Sequence, residues 1–125
     1  IKTALDLGLL VGGGTDALAV GPYNPWIAIR WLLDGKLISR EITRGPEEIP
    51  SRTQALRLYT YNGAWLQFAE DDRGSIEVGK MADIAVLSED YMAMPVDDIA
   101  GLTSLLTLVD GRAVHADGPY EDLAP

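Results

Sequence analysis

The stretch that decides the fold is "GSIEVGKMADIAVLSEDY", Gly74–Tyr91. Gly74 and Gly79 flank a short strand, Asp83 can tie down the turn that follows, and Ile84–Leu87 is an unbroken apolar run with the pattern of a central strand covered on both faces. The first eight residues nearly spell a phosphate-binding loop, with two glycines and a lysine after the second. Three features break the match. Met81 stands where a magnesium-binding hydroxyl belongs, no apolar strand precedes Gly74, and the chain after Lys80 reads as strand where a helix N-terminus should be. The stretch is therefore turn and strand, not a nucleotide site.

Beyond it, "LTSLLTLVDGRAV" reads as two strand runs joined at Asp110-Gly111, the strongest short hairpin signal in the chain. The tail "HADGPYEDLAP" is polar and proline-containing and should trail over the surface. Before Gly74 the texture changes to helix and strand in alternation. "EDDRG", Glu70–Gly74, is a solvated turn, because consecutive acids point in different directions and form no metal cage. Ser51, with Gln54 three residues on, is a capping box opening a helix over Ser51–Asn62 that buries Ala55, Leu58 and Tyr59, with Gly63 ending or bending it. Leu37–Pro50 is a surface loop, and Asn24 and Gly35 cap a second helix with Pro25 at its first position. Trp26, Trp31 and Trp65 are assigned to packing.

Near the start, "LLVGGGTDALAV" is an apolar run that ends in Gly12, Gly13 and Gly14 and is followed by Asp16. This pattern predicts a buried strand whose end lets something approach the backbone, with a carboxylate just past it. From local pattern alone, the favoured reading of Asp16 is a turn or cap aspartate bonding nearby amides. The opening "IKTALDLGLL" reads as amphipathic helix with no cap ahead of it, which suggests a piece of a longer polypeptide.

Composition removes several function classes. The 125 residues carry 19 acids against 10 bases, a net charge of −9, with no Lys/Arg cluster, which argues against nucleic acid as a partner. No cysteine is present, so disulfides, thiolate metal ligands and a cysteine nucleophile are excluded, and the pattern suits a reducing cytoplasmic setting. Uncharged stretches fall short of the ~18 apolar residues a membrane helix needs, so no membrane association is expected. His115 is the one histidine; it cannot build a multi-histidine zinc sphere, and no Ser-His pair with a third partner supports a serine nucleophile.

Three stretches together resemble the C-terminal portion of the amidohydrolase superfamily, in particular the YtcJ-like branch that includes N-substituted formamide deformylases. They are Gly14-Thr15-Asp16-Ala17 with Asn24-Pro25-Trp26, then "QALRLYTYNGAW", and then "GSIEVGKMADIAVL". The resemblance implies an α/β architecture, the C-terminal end of a (β/α)8 barrel plus strands of a small composite β-sandwich. On this mapping residues 1–73 hold the last barrel strand, Leu9–Gly13, and the helices packed on the barrel; 74–117 hold the sandwich strands; 118–125 form a tail.

The implied activity is metal-dependent hydrolysis of C–N bonds in small amide-type substrates. Asp16 is the implied catalytic residue and the implied contact to a divalent metal, zinc, whose other ligands belong to earlier strands. These 125 residues by themselves are therefore expected to bind no metal and to be inactive. Leu18 stands where relatives often carry proline. Expected partners are the rest of the barrel, or further copies joined through exposed strand edges. A second reading is a non-catalytic helix-plus-sheet interaction module that pairs its strand edges with another chain.

Overall fold

The computed structural model describes residues 1–17, 21–37, 39 and 41–125. Four short helices come first: α1 (Lys2–Asp6), α2 (Pro25–Asp34), α3 (Arg52–Leu58) and α4 (Tyr61–Leu66). Three strands follow, β1 (Ile84–Leu87), β2 (Ser104–Val109) and β3 (Arg112–Ala116), with short 3-10 turns at Pro46–Glu48, Val96–Gly101 and Gly118–Leu123.

The caps of α2 fall where the sequence puts them. Asn24 Oδ1 accepts a bond from Trp26 N at 2.9 Å, and Gly35, at φ 64°, returns its N–H to Trp31 O. Inside the helix Arg30 and Asp34 form a buried i,i+4 pair at 2.8 Å. The capping box of α3 is also present: Gln54 N donates to Ser51 Oγ at 3.2 Å, and Ser51 N donates to Gln54 Oε1 at 2.8 Å.

The single helix expected over Ser51–Asn62 is instead two, broken at Tyr59–Thr60, where Thr60 takes φ −123° and ψ −98°. Thr60 Oγ1 donates back to Leu56 O at 3.1 Å, a β-branched residue competing for the carbonyl that the helix itself would use. Gly63 lies within α4 and does not end it; that end is closed by Phe68 at φ 56°. Phe68 N donates to Trp65 O and Ala69 N to Ala64 O, both at 3.0 Å, the C-terminal pattern that glycine normally completes.

Two stretches read as strand carry no ladder among the described residues. Leu9–Gly13, expected as the last barrel strand, runs irregular here with no strand beside it. Ser75–Val78 is bent and irregular up to a turn at Val78, with Ser75 Oγ and Glu77 folded back on Lys80, and forms no strand.

The sheet is antiparallel in the order β1-β2-β3. Among the described residues Ile84–Leu87 is an edge strand, not a central one, and the cover expected on both faces is absent as well: Ala85 is exposed and Ile84, Val86 and Leu87 are only half-buried. β2 and β3 meet in the two-residue turn expected at Asp110-Gly111. Both residues have positive φ, 50° and 75°, as a type I′ turn requires, with Val109 opposite Arg112. Asp83 does not tie its own turn; its Oδ1 accepts from Asp110 N at 2.9 Å and so fastens the tip of that hairpin.

The core is formed by Ile29 and Leu32 of α2, Ala55 and Leu58 of α3, and Tyr91, Ile99 and Leu102 from the connection between β1 and β2. Removing each large aliphatic among them from water contributes about 1.5–3 kcal/mol. A reciprocal clamp joins the helices to that connection. The Arg52 guanidinium donates to the carbonyls of Tyr91 and Met94, and Tyr91 Oη donates to Arg52 O at 2.9 Å. Trp26 and Trp31 pack against this core, but Trp65 is 38% exposed, so the packing assignment holds for two of the three tryptophans.

Burial pushes the Tyr91 hydroxyl above its ordinary value, with the Arg52 charge pulling the other way more weakly. Folding then favours the neutral phenol. That contribution is intact below about pH 10, where an unfolded tyrosine titrates, and is lost as pH rises through the folded value. The urea midpoint is expected to fall between about pH 9 and about pH 11, and Tyr91→Phe should flatten that fall while lowering the midpoint at neutral pH.

Candidate functional site

Asp16 stands at the exposed end of the glycine-rich run, in a left-handed backbone conformation with φ 52°. Aspartate tolerates this region better than most residues, at a cost of about 1–2 kcal/mol, and conformations of this kind collect at functional sites.

The run leading to Asp16 is fastened to the broken helix. Because α3 stops at Leu58, that residue's carbonyl accepts from Gly13 N, at 2.8 Å. Four residues on, the buried Asn62 donates through Nδ2 to Val11 O at 2.8 Å. The glycines fit this contact more than an open site. A Cβ at Gly12 would run into the Leu66 side chain, and one at Gly13 would lie 2.5–2.8 Å from the Tyr59 ring. Gly14 alone of the three has open space where a Cβ would go, so the ligand-approach role expected of all three is left to Gly14. Leu18, the departure noted in the sequence, lies outside the described residues.

Asn62 is the member of this arrangement that sequence reading missed. Its signal was its spacing: Ala55, Leu58 and Asn62 fall at i, i+3 and i+7, which puts an amide on the core face, where a polar group must find a partner.

A groove of about 540 Å3 opens elsewhere, between α2, α3–α4 and β1. Trp26, Ile29, Tyr59, Ala64, Ile84 and Leu87 give it an apolar lining, and the Arg73–Asp83 ion pair, 3.4 Å, sits beside it. Asp16 is not among its walls, so the groove and the carboxylate are separate features.

Lys80 shows why the phosphate-loop likeness carries no chemistry. Its ammonium is largely buried and donates to Glu70 O and to Ser75 Oγ at 2.7 Å, with Glu77 at 3.3 Å. The Ser75 hydroxyl and the Lys80 charge together hold the Glu77 carboxyl below its ordinary value. The lysine thus organises its own turn. His115 is exposed on β3, with Nε2 2.8 Å from Ser104 O, a strand-to-strand contact.

A divalent metal needs several converging donors, and among the described residues no three His, Cys, Asp or Glu side chains come together to hold one. Asp16 can offer one carboxylate at most. Among the described residues, too, no helix is long and apolar enough to cross a membrane.

Comparison with known proteins places the chain in a family. A model of the amidohydrolase family matches residues 1–115. The chain is 33% identical over 115 residues to N-substituted formamide deformylase of Arthrobacter pascens, covering 89% of this chain and 20% of that one. It is 31% identical over 118 residues to YtcJ of Bacillus subtilis, named as an amidohydrolase, covering 91% and 22%. The crystal structure of a metal-dependent hydrolase from Pyrococcus furiosus superimposes with a TM-score of 0.57 at 32% identity, over 70% of this chain and 17% of that one. The chain belongs to the amidohydrolase family. It spans about a fifth of the length of the curated relatives it matches.

Proposed function

We propose that this chain is the C-terminal segment of a metal-dependent hydrolase that cleaves C–N bonds of small amide-type substrates, N-substituted formamides among them. On this reading residues 1–73 close a (β/α)8 barrel, 74–117 add strands to a composite β-sandwich, 118–125 form a tail, and the protein works in the cytoplasm. The observation that carries the reading is Asp16, held in a left-handed conformation at the end of a run anchored by Gly13 and Asn62. It is supported by the family match and by the named activity of the Arthrobacter relative.

Asp16 is assigned the proton work. One carboxylate oxygen takes a proton from the attacking water, and the same oxygen returns it to the nitrogen of the departing amine. On the barrel reading Leu9–Gly13 becomes the last strand of the longer protein, and a carboxylate past its carboxyl end would occupy the edge where barrel enzymes assemble their sites. The divalent metal, zinc on this reading, would have its other donors in the longer protein. These 125 residues by themselves are therefore expected to hydrolyse nothing. The test is formate release from a panel of N-substituted formamides by the full-length protein, before and after chelation. Activity lost on chelation and restored by zinc is the expected result; hydrolysis unchanged by exhaustive chelation would sink the metal-dependent reading.

One observation favours a second reading, a binding module. Among the described residues β1 and β3 each leave one side unpaired, and Ile76 and Val78, shortly before β1 in sequence, are 86% and 109% exposed. A module reading predicts no hydrolysis in any length of chain, so the same assay separates the two.

A further inference from the structure

We propose that Asn62 is a positioning residue for Asp16, an inference that rests on the proton-transfer role given to Asp16 above. The side chain is buried, at 4% exposure, and its amide donates to Val11 O at 2.8 Å across 51 residues of sequence. The neighbouring tether, Gly13 N to Leu58 O at 2.8 Å, exists because the helix breaks at Tyr59–Thr60 and frees that carbonyl. Two bonds two residues apart on the run fix both its height along the helix pair and its rotation. Asp16 follows three residues after Gly13 and inherits that registration.

Through this contact Asn62 acts on the backbone that carries the carboxylate, at Val11 O, five residues before Asp16. Displacements of about 1 Å in a catalytic group can cost about 100-fold in rate. Nothing else buried on α4 offers a polar side chain, since Ala64 is the other buried residue of that helix.

The experiment uses the full-length protein with N-substituted formamides as probe, and compares wild type, Asn62→Ala, Asn62→Asp and Asp16→Asn. Asn62→Ala removes the donor. Asn62→Asp keeps the shape but faces the Val11 carbonyl with an acceptor. Well below the unfolding temperature, both Asn62 variants should lose about 10-fold or more in kcat with KM within about 3-fold. Amide exchange at Gly13, whose N–H is held by Leu58 O, should rise, while exchange across α2 and β2 stays as in wild type.

Unchanged kcat and unchanged exchange at Gly13 in Asn62→Ala would overturn the inference. So would a loss of kcat matched by the loss of folded protein, with exchange raised throughout, because that is a merely structural role. Full activity of Asp16→Asn would instead overturn the proton-transfer reading, and the exchange data would still report whether Asn62 holds the run.

Discussion

Replacing Asp16 by asparagine in the full-length protein is expected to lower kcat for formamide hydrolysis by about 10²–10⁴, the usual contribution of a positioned acid–base group. KM should change little, since the carboxylate acts on the water and the leaving amine and not on the remainder of the substrate. Asparagine is close in size and, like aspartate, is at ease with positive φ, so the φ of 52° at this position is retained and the fold is not disturbed. Steady-state kinetics paired with a thermal melt check this: a normal melt with a collapsed kcat is the expected pair. A normal melt with undiminished kcat would remove Asp16 from the mechanism.

The largest expected effect on stability is at Gly74. Its φ is +92°, and a Cβ there would lie 2.6 Å from Ala64 Cβ and 3.2 Å from Tyr61 Cα. Two costs therefore add in Gly74→Ala: backbone strain of about 1–3 kcal/mol and overpacking of about 1–3 kcal/mol, giving roughly 2–6 kcal/mol in all. Gly79 offers the control. Its φ is +98° with nothing within 4 Å of the added methyl, so Gly79→Ala should show the strain and not the clash. The difference between their urea midpoints, at constant slope, measures the packing cost of the α4 contact. Equal midpoints would show that the chain moves aside at Gly74 and that the close approach to Ala64 is dispensable.

Local chemistry with a short range was legible in the sequence. Asn24, Gly35, Ser51 with Gln54, and Asp110-Gly111 each announce a cap or a turn through atoms no more than a few residues away, and each performs as read. Features settled by distant partners were not legible. The Leu58 carbonyl that the break at Tyr59–Thr60 frees is taken up by Gly13 from 45 positions earlier, and Asp83 serves a hairpin 27 residues ahead. The edge position of Ile84–Leu87 depends on which strands stand beside it, which an apolar run does not encode. At the candidate site, Asp16 was singled out by its place after the glycine run together with the resemblance carried by the motifs at Gln54–Trp65 and Gly74–Leu87. Asn62 was hidden because its partner, the Val11 carbonyl, is backbone and carries no sequence signature.

The clamp between Arg52 and Tyr91 has a consequence for anyone recombining this chain with a relative. The change of texture at Gly74 looks like a natural crossover point, yet Tyr91, Ile99 and Leu102 complete a core begun by Ile29, Ala55 and Leu58. A chimera joined at Gly74 would pair half of one interior with half of another, and its Arg52 would meet foreign carbonyls. Exchange should keep α2, α3 and residues 88–102 from one parent, as a set that has been matched to itself.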